Sequence, residues 1–324
     1  MRNLIPVALV LAFAATSRAG DTAPVVSRDW ARFPAVVELD TRSDVLAVGD
    51  VHGDDERFLR LLAAAKVIPK VAPPEELAWA AGKSILVLTG DMIDKGPRSL
   101  AVLRAVRRLE AAATPAGGRV VALLGNHEVE LLAGESSNKS AGLVKELEAE
   151  KIPLASFRSG EDELGAWLRS RPLAARVNDW FFAHAGKTDF RSIPELERAL
   201  RGAIEKEGFA ARELLRADSL VEARLKPAPW WEVAGEKPEA TLDRMLGALG
   251  CKHLVIGHQP GHVRFADGTS REKGELFQKY GRVFLVDTGM SRGVGDSEGA
   301  LLRIHGAEAR AIKPDGTERV LWKD

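Results

Sequence analysis

Six side chains in this sequence stand at or just past the ends of short apolar runs. Asp50 and His52 follow Val45-Leu46-Ala47-Val48, and Asp91 follows Ser84-Ile85-Leu86-Val87-Leu88. Asn126 follows Val120-Val121-Ala122-Leu123-Leu124, His184 follows Trp180-Phe181-Phe182, and His258 follows Leu254-Val255-Ile256. These are carboxylates, imidazoles and one amide: oxygen and nitrogen donors, with no thiolate among them. Two divalent ions about 3.5 to 4 Å apart need a set of this kind, with one carboxylate shared between them, and ions so placed activate water. Imidazole with carboxylate suits Zn, Fe or Mn better than Ca or Cu(I). A glycine precedes Asp50, Asp91, Asn126 and His258, where the chain must turn sharply and approach the ions closely.

The apolar runs are short and bounded by turn residues, which predicts buried strands. Val283-Phe284-Leu285-Val286, leading into Asp287, is a further one. Between them lie helical stretches: Asp55 to Lys66, with Phe58, Leu59, Leu61 and Leu62 on one side, and Arg98 to Ala113. Alternating strands and helices argue an α/β architecture, in which ligands gather at the carboxyl ends of strands. Residues 20–40 read as an N-terminal arm. Residues 134–178 and 187–245 break the pattern with charged, helix-rich sequence and are expected to form a helical cap or lateral insertion. Gly299 to Trp322, with the turn Pro314-Asp315-Gly316, reads as antiparallel strands closing the sheet.

Gly49-Asp50-Val51-His52-Gly53, Gly90-Asp91-Met92-Ile93-Asp94-Lys95-Gly96-Pro97 and Gly125-Asn126-His127-Glu128 closely resemble the signature motifs of the calcineurin-like metallophosphatases, and within them the phosphoprotein phosphatase branch. His184-Ala185-Gly186 and Gly257-His258-Gln259 resemble that branch's two later histidine motifs. Val286-Asp287-Thr288-Gly289-Met290-Ser291 resembles the Shewanella-like phosphatases. The motifs span residues 49–291, and three of them in the correct order and spacing are highly specific.

The resemblance implies two mixed β-sheets packed face to face with helices outside. It implies that Asp50 and His52 bind a first metal ion, that Asp91 bridges both, and that Asn126, His184 and His258 hold the second. His127 would be the general acid that protonates the leaving oxygen, oriented by a hydrogen bond to Asp94. The implied reaction is hydrolysis of a phosphate ester by a hydroxide held between two divalent ions, Mn, Fe or Zn. The expected substrate is a phosphoprotein (Ser/Thr or Tyr). A dinucleoside polyphosphate or other small phosphoester is an alternative, and so is a binding protein that captures phosphorylated ligands without turnover.

The sequence departs from the family pattern twice. Lys95 stands where the family usually has arginine, which keeps the charge on phosphate but loses the planar bidentate grip. A second arginine usually follows an aromatic pair, yet Glu232 follows Pro229-Trp230-Trp231, leaving Arg224 or Lys226 as substitutes. Glu128 reads as a structural hydrogen-bonding residue and Asp287 as a buttress of the late strand end. His253 and His305 read as structural, His262 as a weak competitor of His258, and the tryptophan pair as packing.

Composition narrows the partners. Among 324 residues, 46 basic side chains balance 46 acidic ones and no basic tract stands out, which argues against nucleic acid. The single cysteine, Cys251, permits no disulfide within the chain. Met1-Arg2-Asn3, the apolar run Leu4 to Ala15 and the small residues of Ser17-Arg18-Ala19 form a secretory signal pattern, expected to be cleaved after Ala19. The mature chain, residues 20–324, is then expected in the periplasm or outside the cell, with no membrane span.

Overall fold

A computed structural model describes residues 28–134 and 138–324; the signal segment expected at residues 1–19 lies outside the described residues. In chain order the first half comprises β1 (Val36–Leu39), β2 (Val45–Val48), α1 (Asp55–Ala64), β3 (Ile85–Leu88), α2 (Ser99–Ala113), β4 (Arg119–Ala122) and α3 (Asn126–Ala133). Then come α4 (Ala141–Ala149), α5 (Leu154–Ser159), α6 (Glu163–Arg169), β5 (Ala174–Val177), β6 (Trp180–Ala183), α7 (Ile193–Glu207), α8 (Arg212–Leu215) and α9 (Pro238–Ala248). The chain ends with β7 (His253–Ile256), β8 (Val263–Arg264), β9 (Ser270–Arg271), β10 (Phe277–Lys279), β11 (Val283–Leu285), β12 (Leu301–His305), β13 (Glu308–Ile312) and β14 (Glu318–Lys323).

Two six-stranded mixed sheets result, ordered β1-β5-β6-β7-β11-β10 and β14-β13-β12-β2-β3-β4. The two-residue side-chain period explains why the inner strands are apolar throughout. Val45, Ala47, Ile85, Val87 and Val121 face Val177, Phe182, Val255 and Phe284 across the space between the sheets. Leu46, Val48, Leu86 and Leu88 point the other way, into the packing against α1 and α2. The expected pair of face-to-face sheets with helices outside is therefore present.

Two expectations about organisation need correction. Residues 20–40 are not merely an arm, because β1 pairs in parallel with β5, Val36 opposite Ala174. The stretch 134–178 is not all insertion, because β5 lies within it and pairs with β6. Its helices sit laterally, α4 and α6 against α2. Among the described residues, no helix is long and apolar enough to cross a membrane.

The parallel strands decide where chemistry can occur. β2, β3 and β4 run parallel in one sheet, and β6, β7 and β11 run parallel in the other. Their carboxyl ends therefore lie along one edge of each sheet, and Asp50, His52, Asp91, Asn126, His184 and His258 all follow such ends.

Candidate metal centre and proton donor

The loops beyond β2 and β3 are sewn together. Val51 and His52 both donate their amides to the Asp91 carbonyl, at 3.1 and 2.9 Å. His52, Asp91, Asp94, Lys95 and His258 all have positive φ, 43° to 67°, a region that L-residues adopt rarely and at a cost. Four of these residues lie in the two loops and His258 in the loop after β7, so the surrounding structure imposes the conformation. Glycine is required where two loops touch. A Cβ on Gly90 would lie 2.4 Å from the Gly125 amide nitrogen, and one on Gly125 would lie 2.2 Å from Asp91 Oδ1. Glu128 completes the fastening: its carboxylate accepts the amides of Asp91, Met92, Ile93 and Gly125 at 2.7 to 3.1 Å.

Asp91 is the centre of the arrangement. Its Oδ2 lies 3.5 Å from His52 Nε2, 3.4 Å from His184 Nε2 and 3.9 Å from His127 Nε2. Asp50 Oδ2 is 3.9 Å from the same nitrogen of His52. Asn126 Oδ1 is 3.2 Å from His184 Nε2, and the His184 and His258 rings stand 4.6 Å apart. Ligand atoms of Asp91, His52 and His127, and separately of Asp91, His184 and His258, fall within 4.8 Å of one another. All eight sequence candidates around this point are buried: Asp50, His52, Asp91, Asp94, Asn126, His127, His184 and His258. Lys95 is exposed, one residue beyond Asp94.

Each ring uses one nitrogen on a fixed acceptor and turns the other inward. His52 Nδ1 donates to the Ile93 carbonyl at 2.9 Å, and His184 Nδ1 to the Thr89 carbonyl at 2.9 Å. His258 Nε2 donates to the Glu222 carbonyl at 3.2 Å, leaving Nδ1 as its free donor. This is how proteins prepare imidazole for a metal ion. His127 differs: Nδ1 donates to a carboxylate, Asp94 Oδ2, at 2.7 Å. That is how a ring is held for proton transfer.

Electrostatics point the same way. Burial alone would raise the Asp91 carboxyl, but His184, His127 and His52 hold it well below its usual range. Burial and the neighbouring Asp287 and Asp91 charges push Asp50 well up. Burial pushes His258 down to about 2, with His184 and Arg224 adding to the effect. His127 is raised despite burial, because Asp91 and Asp94 favour its charged form. Asp287 Oδ2 is buried with no hydrogen-bond partner among the described residues. An acidic, ring-lined cluster with carboxylates forced together and an orphan oxygen fits divalent cations as the missing partners.

Other residues fall elsewhere. Trp231 is fully buried in the core, and Glu232 accepts the Ala266 amide at 2.9 Å. His253 stacks on Trp180 at 4.1 Å, His305 pairs with Asp44, and exposed His262 lies 3.6 Å from Glu272. Arg224 donates from Nη1 to the His258 carbonyl at 2.9 Å, which sets its guanidinium beside the cluster. Lys95 and Arg224 are both exposed. Sequence reasoning missed the carbonyl partners and Ser140, whose hydroxyl reaches Asp94. Main-chain acceptors leave no trace in residue type, and Ser140 carries no motif. Asp287 does carry the strand-end pattern, and its charge acts on the Asp50 carboxyl.

The similarity of the chain to known proteins agrees with this geometry. An uncharacterized protein of Schizosaccharomyces pombe is 30% identical over 272 residues, covering 80% of this chain and 76% of its own length. A symmetrical bis(5'-nucleosyl)-tetraphosphatase of Paraburkholderia phymatum is 34% identical over 177 residues, but the match spans only 52% of this chain and 54% of that relative. The crystal structure of the cold-active protein-tyrosine phosphatase of a psychrophile Shewanella sp. superposes with a TM-score of 0.65 at 25% identity, covering 88% of this chain and 82% of that one. The model of the calcineurin-like phosphoesterases matches residues 43–262, the stretch that holds every ring and carboxylate of the cluster except Asp287, and the chain belongs to that family.

Proposed function

We propose that this metallophosphoesterase hydrolyses phosphate monoesters and that its substrates are phosphorylated protein side chains. Asp50 and His52 would hold one divalent ion, Asn126, His184 and His258 the other, and Asp91 both. Two ions there supply charge neutralisation of the phosphate and activation of water near neutral pH. The remaining work falls to the chain. The carbonyls of Ile93, Thr89 and Glu222 fix the ring tautomers, so that each inward nitrogen is a lone pair. Lys95 and Arg224 offer exposed cations to the phosphate oxygens. His127, held by Asp94, gives its Nε2 proton to the departing oxygen.

The observation that carries the monoester reading is the His127–Asp94 pair. An alkoxide leaving from a side chain is a strong base and needs a proton as the bond breaks. A nucleotide phosphate leaving from an anhydride is a weak base and does not. Resemblance to the cold-active protein-tyrosine phosphatase adds support, while the bis(5'-nucleosyl)-tetraphosphatase relative favours the second reading, a dinucleoside polyphosphate. If residues 1–19 act as a signal, the substrate is met in the periplasm or outside the cell.

The test is a panel of phosphopeptides, small phosphomonoesters and a dinucleoside tetraphosphate, assayed with added Mn beside Asp91→Asn and His127→Ala. We expect phosphopeptides to have the highest kcat/KM and His127→Ala to lower kcat by about 100-fold or more at unchanged metal content. A preference for the tetraphosphate would select the second reading. Metal and phosphate binding without any turnover would make the chain a phosphate-binding protein.

A further inference from the structure

Ser140 occupies the N-cap position of α4, where serine ordinarily accepts a backbone amide of the first turn. Here its side chain makes no capping bond. The hydroxyl donates instead to Asp94 Oδ2 at 3.1 Å, the same oxygen that accepts His127 Nδ1 at 2.7 Å. Ser140 is 6% exposed and Asp94 1% exposed, so both hydrogen bonds are shielded from water. The other Asp94 oxygen, Oδ1, is buried with no hydrogen-bond partner among the described residues. Ser140 and His127 therefore supply the side-chain hydrogen bonds that fix the rotation of the Asp94 carboxylate.

The helix that carries Ser140 is docked onto the same site from a second direction. Glu146 of α4 accepts the Ser99 and Leu100 amides at the start of α2, at 2.7 and 2.9 Å. Ser99 Oγ in turn accepts the Asp94 amide at 3.0 Å. One helix of the lateral insertion thus grips Asp94 by its carboxylate directly and by its backbone through Ser99. Asp94 needs such a grip, because it and Lys95 both have φ above 60°.

We propose that Ser140 is a positioning residue for the proton donor: by diverting its hydroxyl from capping α4 to the Asp94 carboxylate, it fixes that carboxylate's rotation and so aims the His127 ring at the leaving oxygen. The inference deepens the monoesterase reading and rests on the role given there to His127. It assigns the insertion a task in catalysis, the orientation of the group that donates the proton.

The test compares the full-length chain with Ser140→Ala and Ser140→Thr in two ways. First, kcat is measured with p-nitrophenyl phosphate, whose leaving group hardly needs a proton, and with an alkyl phosphate, whose leaving group does. Ser140→Ala should lower kcat on the alkyl ester about tenfold, a fraction of what removing a general acid costs. On the nitrophenyl ester the loss should be about twofold, with Mn content and KM unchanged. Ser140→Thr should restore the wild-type ratio, and Ser140→Ala should add no further loss in a His127→Ala background. Second, the His127 ring N–H resonance, downfield from its bond to Asp94, should broaden or vanish in Ser140→Ala and persist in Ser140→Thr. An equal loss on both esters, an additive loss in the His127→Ala background, or an unchanged N–H resonance would overturn the proposal. The resonance is read without substrate, so a wild-type chain inactive on both esters sinks the monoesterase reading while the ring measurement still decides the role of Ser140.

Discussion

At the scale of single residues, Glu128 shows how much of the centre depends on a group that never touches it. Burial raises its carboxyl to about 7, with the Asp91 charge adding, yet four backbone amides converge on its two oxygens. Those amides belong to the loops that present Asp91 and Asn126. In Glu128→Gln one of the two acceptors becomes an NH2 group, and two buried amides lose their partner. At about 1 to 3 kcal/mol for each unsatisfied buried donor, urea unfolding of the metal-free chain should show a loss of roughly 2 to 6 kcal/mol. A change under about 0.5 kcal/mol would mean that the fastening lies elsewhere. Glu128 was legible as structural, because an acid in the first turn of a helix has backbone donors within reach. The Asp94–His127 bond was legible only through family resemblance, since 33 residues separate the partners. Ser140 was not legible at all: a serine before a helix reads as a cap, and its diversion is visible only in three dimensions.

At the scale of elements, most strands were readable because the inner ones are buried on both faces and so are apolar without a break. β1 and β5 were not, and their pairing explains why. Ala174-Ala175-Arg176-Val177 is short and carries Arg176, which bonds Glu38 at 2.9 Å across the sheet edge. Nothing in the 137 residues between them signals that Val36 will lie beside Ala174. The β8–β9 hairpin was equally hidden, because strands of two residues are too short to show a pattern. Asp267 accepts from the nearly buried Lys279 amine, and the Lys279 and Thr269 hydrogen bonds lower its carboxyl from 3.8 to about 2. A carboxyl lowered by folding contributes stability that is present above its unfolded value and lost as pH falls through its folded one. The protection of residues 263–271 against hydrogen exchange, taken relative to the intrinsic rate at each pH, should therefore fall between about pH 4 and pH 2. Asp267→Asn should exchange faster at neutral pH and lose that acid step. An acid step of equal size in Asp267→Asn would assign it to another group.

At the scale of the molecule, the two sheets bring the carboxyl ends of six parallel strands to one place, and residues as distant in sequence as Asp50 and His258 become neighbours. A cavity of about 470 Å³ lies elsewhere, lined by Trp30, Arg169, Phe209 and others, none of them from the cluster. Site and cavity are thus separate features of this fold, and the chemistry belongs to the strand ends. The strand-end pattern made the cluster visible from sequence. The substrate class was not, because it depends on exposed residues such as Lys95 and Arg224 that carry no fixed pattern. The most direct measurement of the central claim is low-temperature electron paramagnetic resonance of the Mn-loaded chain, with Mn counted per chain. Sharing of the Asp91 carboxylate predicts two Mn ions per chain with a spin-coupled spectrum, and loss of that coupling in Asp91→Asn. A single six-line signal at saturation, or two ions whose spectra are unaffected by Asp91→Asn, would contradict it.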